Sequence, residues 1–103
     1  MEILRKKPGE PWEKVSIEAT EQAVAAELGG EPAYATLFSD AKIAYRKTHR
    51  GEGLSYNTTV CGVAFSGTVL FVGASGFGKK WKLCDLPSID FMLKSLEAVA
   101  NEG

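Results

Sequence analysis

The chain of 103 residues holds one histidine, two cysteines, no marked excess of either charge, and no apolar run near the roughly 20 residues a membrane-spanning helix needs. His49 is the lone imidazole, so the chain has no HExxH zinc motif, and a general base at this position has no partner that the sequence identifies. Cys61 and Cys84 stand 23 positions apart with no Cys or His at metal-ligand spacing, which reads as two reduced thiols rather than a disulfide or redox pair. With 12 basic and 13 acidic side chains the net charge is −1, which is not the balance of a dedicated nucleic-acid binder. GxSxG and EF-hand patterns are missing and the acidic residues are scattered, so no catalytic residue, metal or cofactor is indicated. Residues 1–7 show charges after Ile3-Leu4 and no apolar h-region, so neither a secretory leader nor a membrane partner is expected and a cytoplasmic location is.

What is present is the composition of a folding domain, 45% hydrophobic and 24% charged, at a length that suits one core spanning 1–103. Lys7-Pro8-Gly9-Glu10 is a turn signal between strand-compatible residues 2–6 and 12–17, which predicts a hairpin. Thr20 is a candidate N-cap, Val24 and Leu28 share a helical face, and Gly29-Gly30 supplies a left-handed stop, which predicts a short helix between them. Residues 33–38 and 42–47 alternate around Ser39-Asp40 and predict a second hairpin, followed by a long polar connection over 48–57. Residues 68–72, Thr-Val-Leu-Phe-Val between Gly67 and Gly73, predict a central strand, and 80–84 predict its hairpin partner with Trp81 and Leu83 inward. From Ser88 onward Ile89, Leu93, Leu96 and Ala100 form an amphipathic stripe, with Asp85 or Ser88 to cap it. The fold class is α+β: a single domain with a five- or six-stranded, largely antiparallel sheet and two helices packed against it.

Three segments offer chemistry. Gly73-Ala74-Ser75-Gly76-Phe77-Gly78-Lys79 satisfies the GxxxxGK part of a phosphate-binding loop. It is followed by Lys80, not by the Ser or Thr that coordinates Mg²⁺, and by strand-like alternation where a helix is required, so it reads as a hairpin loop. Arg46, His49 and Arg50 are donors suited to a carboxylate or phosphate, with Tyr56 and Asn57 beside them for stacking and hydrogen bonding, which makes a small-molecule or nucleotide site at 46–58 one expectation. Lys42 and Arg46 on one strand and Lys80 and Lys82 on another would form a basic face if those strands were neighbours, the basis for weak nucleic-acid binding. Outward lysines also blunt sheet edges, so nucleic acid is not the favoured partner.

Leu28-Gly29-Gly30, Gly53-Leu54-Ser55-Tyr56-Asn57 and Gly67-Thr68-Val69-Leu70-Phe71-Val72-Gly73, in that order, resemble the domain-of-unknown-function family numbered three-eight-four-six. That family consists of small single-domain proteins of phages, prophages and other mobile elements. The resemblance implies no enzyme activity and no catalytic residues. With the missing chemistry, it makes a non-enzymatic accessory protein the leading expectation, acting by binding a host or mobile-element protein or a second copy of itself.

Overall fold

Residues 69–75 are apolar at both parities down to Ala74, so whichever way the strand is turned both of its faces require cover. The computed structural model, which describes residues 1–38, 40–47, 53–76 and 78–102, provides that cover. The elements run β1 (Glu2–Lys6), β2 (Glu13–Ser16), α1 (Glu21–Leu28), β3 (Pro32–Phe38), β4 (Ala41–Arg46), β5 (Tyr56–Val60), β6 (Val63–Ser66), β7 (Val69–Ser75), a single 3₁₀ turn at Gly78–Lys80, β8 (Lys82–Cys84) and α2 (Ile89–Glu102). Six strands form one antiparallel sheet, five in the order β2-β1-β7-β4-β3 and the sixth, β8, paired with β7 off that path, and β5 and β6 form a separate two-stranded sheet. The α+β class and the two packed helices agree with the sequence reading.

β7 is the hub of the larger sheet. One edge pairs with β4, Tyr45 opposite Val69 through Ala41 opposite Gly73. The other edge is shared by two short strands in tandem, β1 opposite Val69–Phe71 and β8 opposite Gly73–Ser75. Where they meet, the Glu2 N–H donates to the Asp85 carboxylate at 2.8 Å and the Leu86 N–H to the Glu2 carbonyl at 2.9 Å. Asp85 is therefore spent on joining β8 to β1 rather than on capping α2. Ser88 stands at the helix start, its carbonyl accepting the Met92 N–H while its own φ is 51°.

Alternation along β7 divides the core in two. Ile3, Ala44, Leu70 and Val72 are buried against Val24 and Leu28 of α1. Leu4, Ala41, Ile43, Val69 and Phe71 are buried on the opposite face, where Ile89, Met92, Leu93 and Leu96 of α2 pack together with Val60 and Phe65 of the β5–β6 hairpin. The side chain of Ala100 lies outside the described part. α1 is bounded as its sequence demands: the Thr20 hydroxyl accepts the Ala23 N–H at 3.1 Å, and Gly29 turns left-handed at φ 78°.

The β5–β6 hairpin is the main departure from the sequence reading, which leaves residues 48–57 as one polar connection. Tyr56 and Asn57 open a strand instead, and the turn Cys61-Gly62 has positive φ at both positions, 50° and 79°. That pair of angles is the signature of a type I′ turn, which favours Asn-Gly because a side chain with a β-carbon resists φ above zero. Cys61→Asn is expected to stabilise the protein by about 0.5–1 kcal/mol, read as a raised urea midpoint with an unchanged slope.

Candidate functional site

The structure separates the residues that the sequence suggested as a basic face. β4 and β8 flank β7 on opposite edges and are not neighbours. Lys42 lies opposite Val72 and Lys82 opposite Ser75, three residues further along β7, so the two side chains fall on opposite faces of the sheet. Lys80 belongs to the 3₁₀ turn. Lys42 is engaged locally, donating to the Thr36 hydroxyl at 2.6 Å with its ammonium 4.9 Å from the Trp81 ring centre. The stripe imagined from alternation alone is interrupted by topology.

The suggested 46–58 site is likewise dispersed. Arg46 ends β4 and lies over the glycine turn after α1, so close that a β-carbon on Gly30 would sit 2.8 Å from its Nε. Tyr56 is exposed, its hydroxyl sharing a 2.8 Å hydrogen bond with the Thr59 hydroxyl. His49 and Arg50 lie outside the described residues. Asn57 is buried, and its amide is committed within the chain: Nδ2 donates to the carbonyls of Lys6 and Gly67 at 2.8 and 2.7 Å, and Oδ1 accepts from the Lys6 ammonium at 2.7 Å. A β-bulge between Tyr56 and Thr58 releases Asn57 from the ladder so that its side chain turns inward. Asn57 thus clips the small hairpin to β1. Replacing it by Ala strands two carbonyls and an ammonium, so Asn57→Ala is expected to cost about 2–3 kcal/mol. Faster hydrogen exchange should concentrate in β5 and β6.

The phosphate-loop look-alike has a packing explanation. Gly73 lies under the crossing of β8, where an added β-carbon would stand 2.1 Å from the Asp85 carbonyl oxygen. Gly76 and Gly78 adopt φ of 100° and 56° to turn the chain back. After Lys79 come one residue of 3₁₀ turn, Trp81 and then β8, so no α-helix N-terminus faces the glycines.

The site that the structure does assemble lies elsewhere, under the edge of α2. A pocket of about 270 Å³ opens between α2, the sheet and the β5–β6 hairpin. Its floor is aromatic: Trp12 and Phe71 have ring centres 6.3 Å apart, and Phe38 stacks on Phe71 at 6.0 Å. Val60, Met92 and Leu96 complete the apolar wall. Lys6, Thr58, Thr59, Cys61 and Ser95 supply its polar atoms. At the surface of α2, Asp90 pairs with Lys14 of β2 at 2.7 Å. Met92, Ser95 and Leu96 of the same helix face the pocket.

On the opposite face of the sheet, Trp81 meets Tyr34 edge-on with ring centres 4.8 Å apart. The Tyr34 hydroxyl is buried there with no hydrogen-bond partner among the described residues. Burial, reinforced by Glu21, raises its pKa and keeps it a neutral phenol. Among the described residues no group of three or more His, Cys, Asp or Glu side chains is arranged to hold a metal ion, and no helix is long and apolar enough to cross a membrane. Comparison of the chain with family models, with curated proteins and with solved structures finds no match.

No local pattern announces the pocket, because its walls come from β1, the β1–β2 turn, β3, β5 and the turn after it, β7 and α2. Asn57, which holds the pocket-lining Lys6, looks like a loop residue until its bulge and its three bonds are seen.

Proposed function

We propose that this chain is a non-enzymatic binding domain whose ligand seats in the apolar pocket between α2 and the β5–β6 hairpin. The observation that carries this reading is the preformed cavity of about 270 Å³ floored by Trp12, Phe38 and Phe71. Concave apolar sites with a few polar groups at the rim are where proteins hold small molecules. The polar liners are an ammonium, hydroxyls and a thiol. An ammonium and hydroxyls at the rim of an apolar cavity suit the orientation of a bound ligand.

A thermal-shift panel of neutral apolar compounds of about ten non-hydrogen atoms tests the reading. A ligand at a hundredfold its Kd adds about 2.7 kcal/mol, on the order of 10 °C for a chain of this size. The shift is expected to vanish in Ser95→Phe, which fills the pocket from the helix side. Absence of any shift across the panel at millimolar concentration overturns the pocket.

A second reading is an accessory role through a protein partner or a second copy of the chain, in the mobile-element setting that the family resemblance implies. It is favoured by Phe91, which stands 73% exposed on the turn of α2 beside the pocket-lining Met92. Sedimentation velocity separates the two, since this reading requires a complex that weakens in Phe91→Ser.

A further inference from the structure

The pocket has a polarity that narrows its ligand, and the inference rests on the pocket reading above. Lys6 is the one charged side chain among the described residues that line it, and no carboxylate lines it. The acid pairs nearest in the fold lie apart from it: Glu13 and Glu27 hold Arg5, which faces α1 on the other side of the sheet, and Asp90 of α2 holds Lys14. Among the described residues Lys6 has no ion-pair partner, and its ammonium is held instead by the neutral Oδ1 of Asn57 at 2.7 Å. The same Asn57 amide also grips the Lys6 carbonyl, so backbone and ammonium are fixed together by one buried residue. An ammonium has three donors, and this arrangement spends one of them. The result is a positioned positive charge, without an ion-pair partner among the described residues, at the edge of an aromatic cavity.

We infer that the pocket binds a small amphipathic monocarboxylate, its apolar body against Trp12, Phe38, Met92 and Leu96 and its carboxylate on the Lys6 ammonium. Size agrees with this. A dry apolar cavity of about 150 Å³ accepts benzene, so 270 Å³ suits a body of roughly ten non-hydrogen atoms. Charge agrees as well, because a cationic ligand would meet Lys6 with no acid among the described lining residues to answer it, whereas a neutral one leaves the ammonium's remaining donors to water. Asn57 acts here as a positioning residue.

Trp12 lines the pocket and reports on it directly, provided the second indole is silenced by Trp81→Phe. In that background, Trp12 emission is titrated with octanoate and with octan-1-ol, both kept below aggregation. Octanoate is expected to give a saturable change with affinity at least about tenfold above that of the alcohol, the scale of one hydrogen bond between charged groups. Lys6→Met should bring acid and alcohol to equal affinity, while Lys6→Arg retains the preference. Should the methionine variant fail to fold, Lys6→Gln, which keeps a donor for Asn57, takes its place. Equal affinity of acid and alcohol for unaltered Lys6 overturns the carboxylate assignment while leaving the pocket standing. Undiminished preference in the uncharged variants overturns the role of Lys6. Binding of neither compound overturns the pocket itself.

Discussion

Gly73→Ala is expected to destabilise the protein by about 3 kcal/mol or more, a large fraction of the 5–15 kcal/mol typical of a small domain. The reason is steric and local. A β-carbon at this position would lie 2.1 Å from the Asp85 carbonyl oxygen and 2.8 Å from that of Cys84. Both obstacles are backbone atoms at the point where β8 hands over to β1, so no side chain can swing aside. Relief requires β8 to lift from β7, which breaks the pairing of Gly73–Ser75 with Lys82–Cys84 and pulls on the Glu2–Asp85 contact. Gly9→Ala is the control: Gly9 has φ 78° with nothing within 4 Å, so only its backbone preference is lost, about 1 kcal/mol. Urea unfolding of the two variants side by side separates crowding from conformational cost, and comparable losses would refute the packing account of Gly73.

Phe71→Ala should cost about 3–5 kcal/mol, the range for deleting a fully buried phenylalanine. Phe71 is inaccessible to solvent at the middle of β7, and its ring meets both Trp12 and Phe38. Removal joins the new void to the existing pocket, so the neighbours have space on both sides and little to collapse onto. Loss of near-UV circular dichroism and a red shift of Trp12 emission should accompany the lower urea midpoint. A variant that retains both spectra and loses less than about 1.5 kcal/mol would show that the aromatic floor is not a packed unit.

How far the sequence discloses this molecule depends on how local each cause is. β7 is legible because burial on both faces leaves a continuous apolar run, and α1 because Thr20 and Gly29 cap it through contacts within a few residues. The β1–β2, β3–β4 and β7–β8 hairpins follow from turns between alternating segments. β5 was hidden because Tyr56, Asn57, Thr58 and Thr59 are polar, and the reason a buried Asn belongs there is Lys6, 51 positions away. The basic face failed for a related reason. Alternation assigns a face within one strand but does not say that β7 intervenes between β4 and β8, nor that Lys80 belongs to a 3₁₀ turn. The pocket was invisible to any reading of spacing, since no two of its aromatic walls are adjacent in the chain.

The tandem arrangement of β1 and β8 along β7 also bears on how the chain acquires its fold. A hairpin forms in microseconds because its partners are close in sequence, but Glu2 and Asp85 must find each other across 83 residues. That closure carries the entropy of a very long loop, and it is one of several such pairings, with β1 reaching β7 and α2 lying over β1. High contact order of this kind places folding in the millisecond-to-second range rather than the microsecond range of helical bundles. Until the two short strands meet, half of one edge of the most apolar strand stays unpaired. The interval before closure is therefore when this small protein is most exposed to sticking to its own kind.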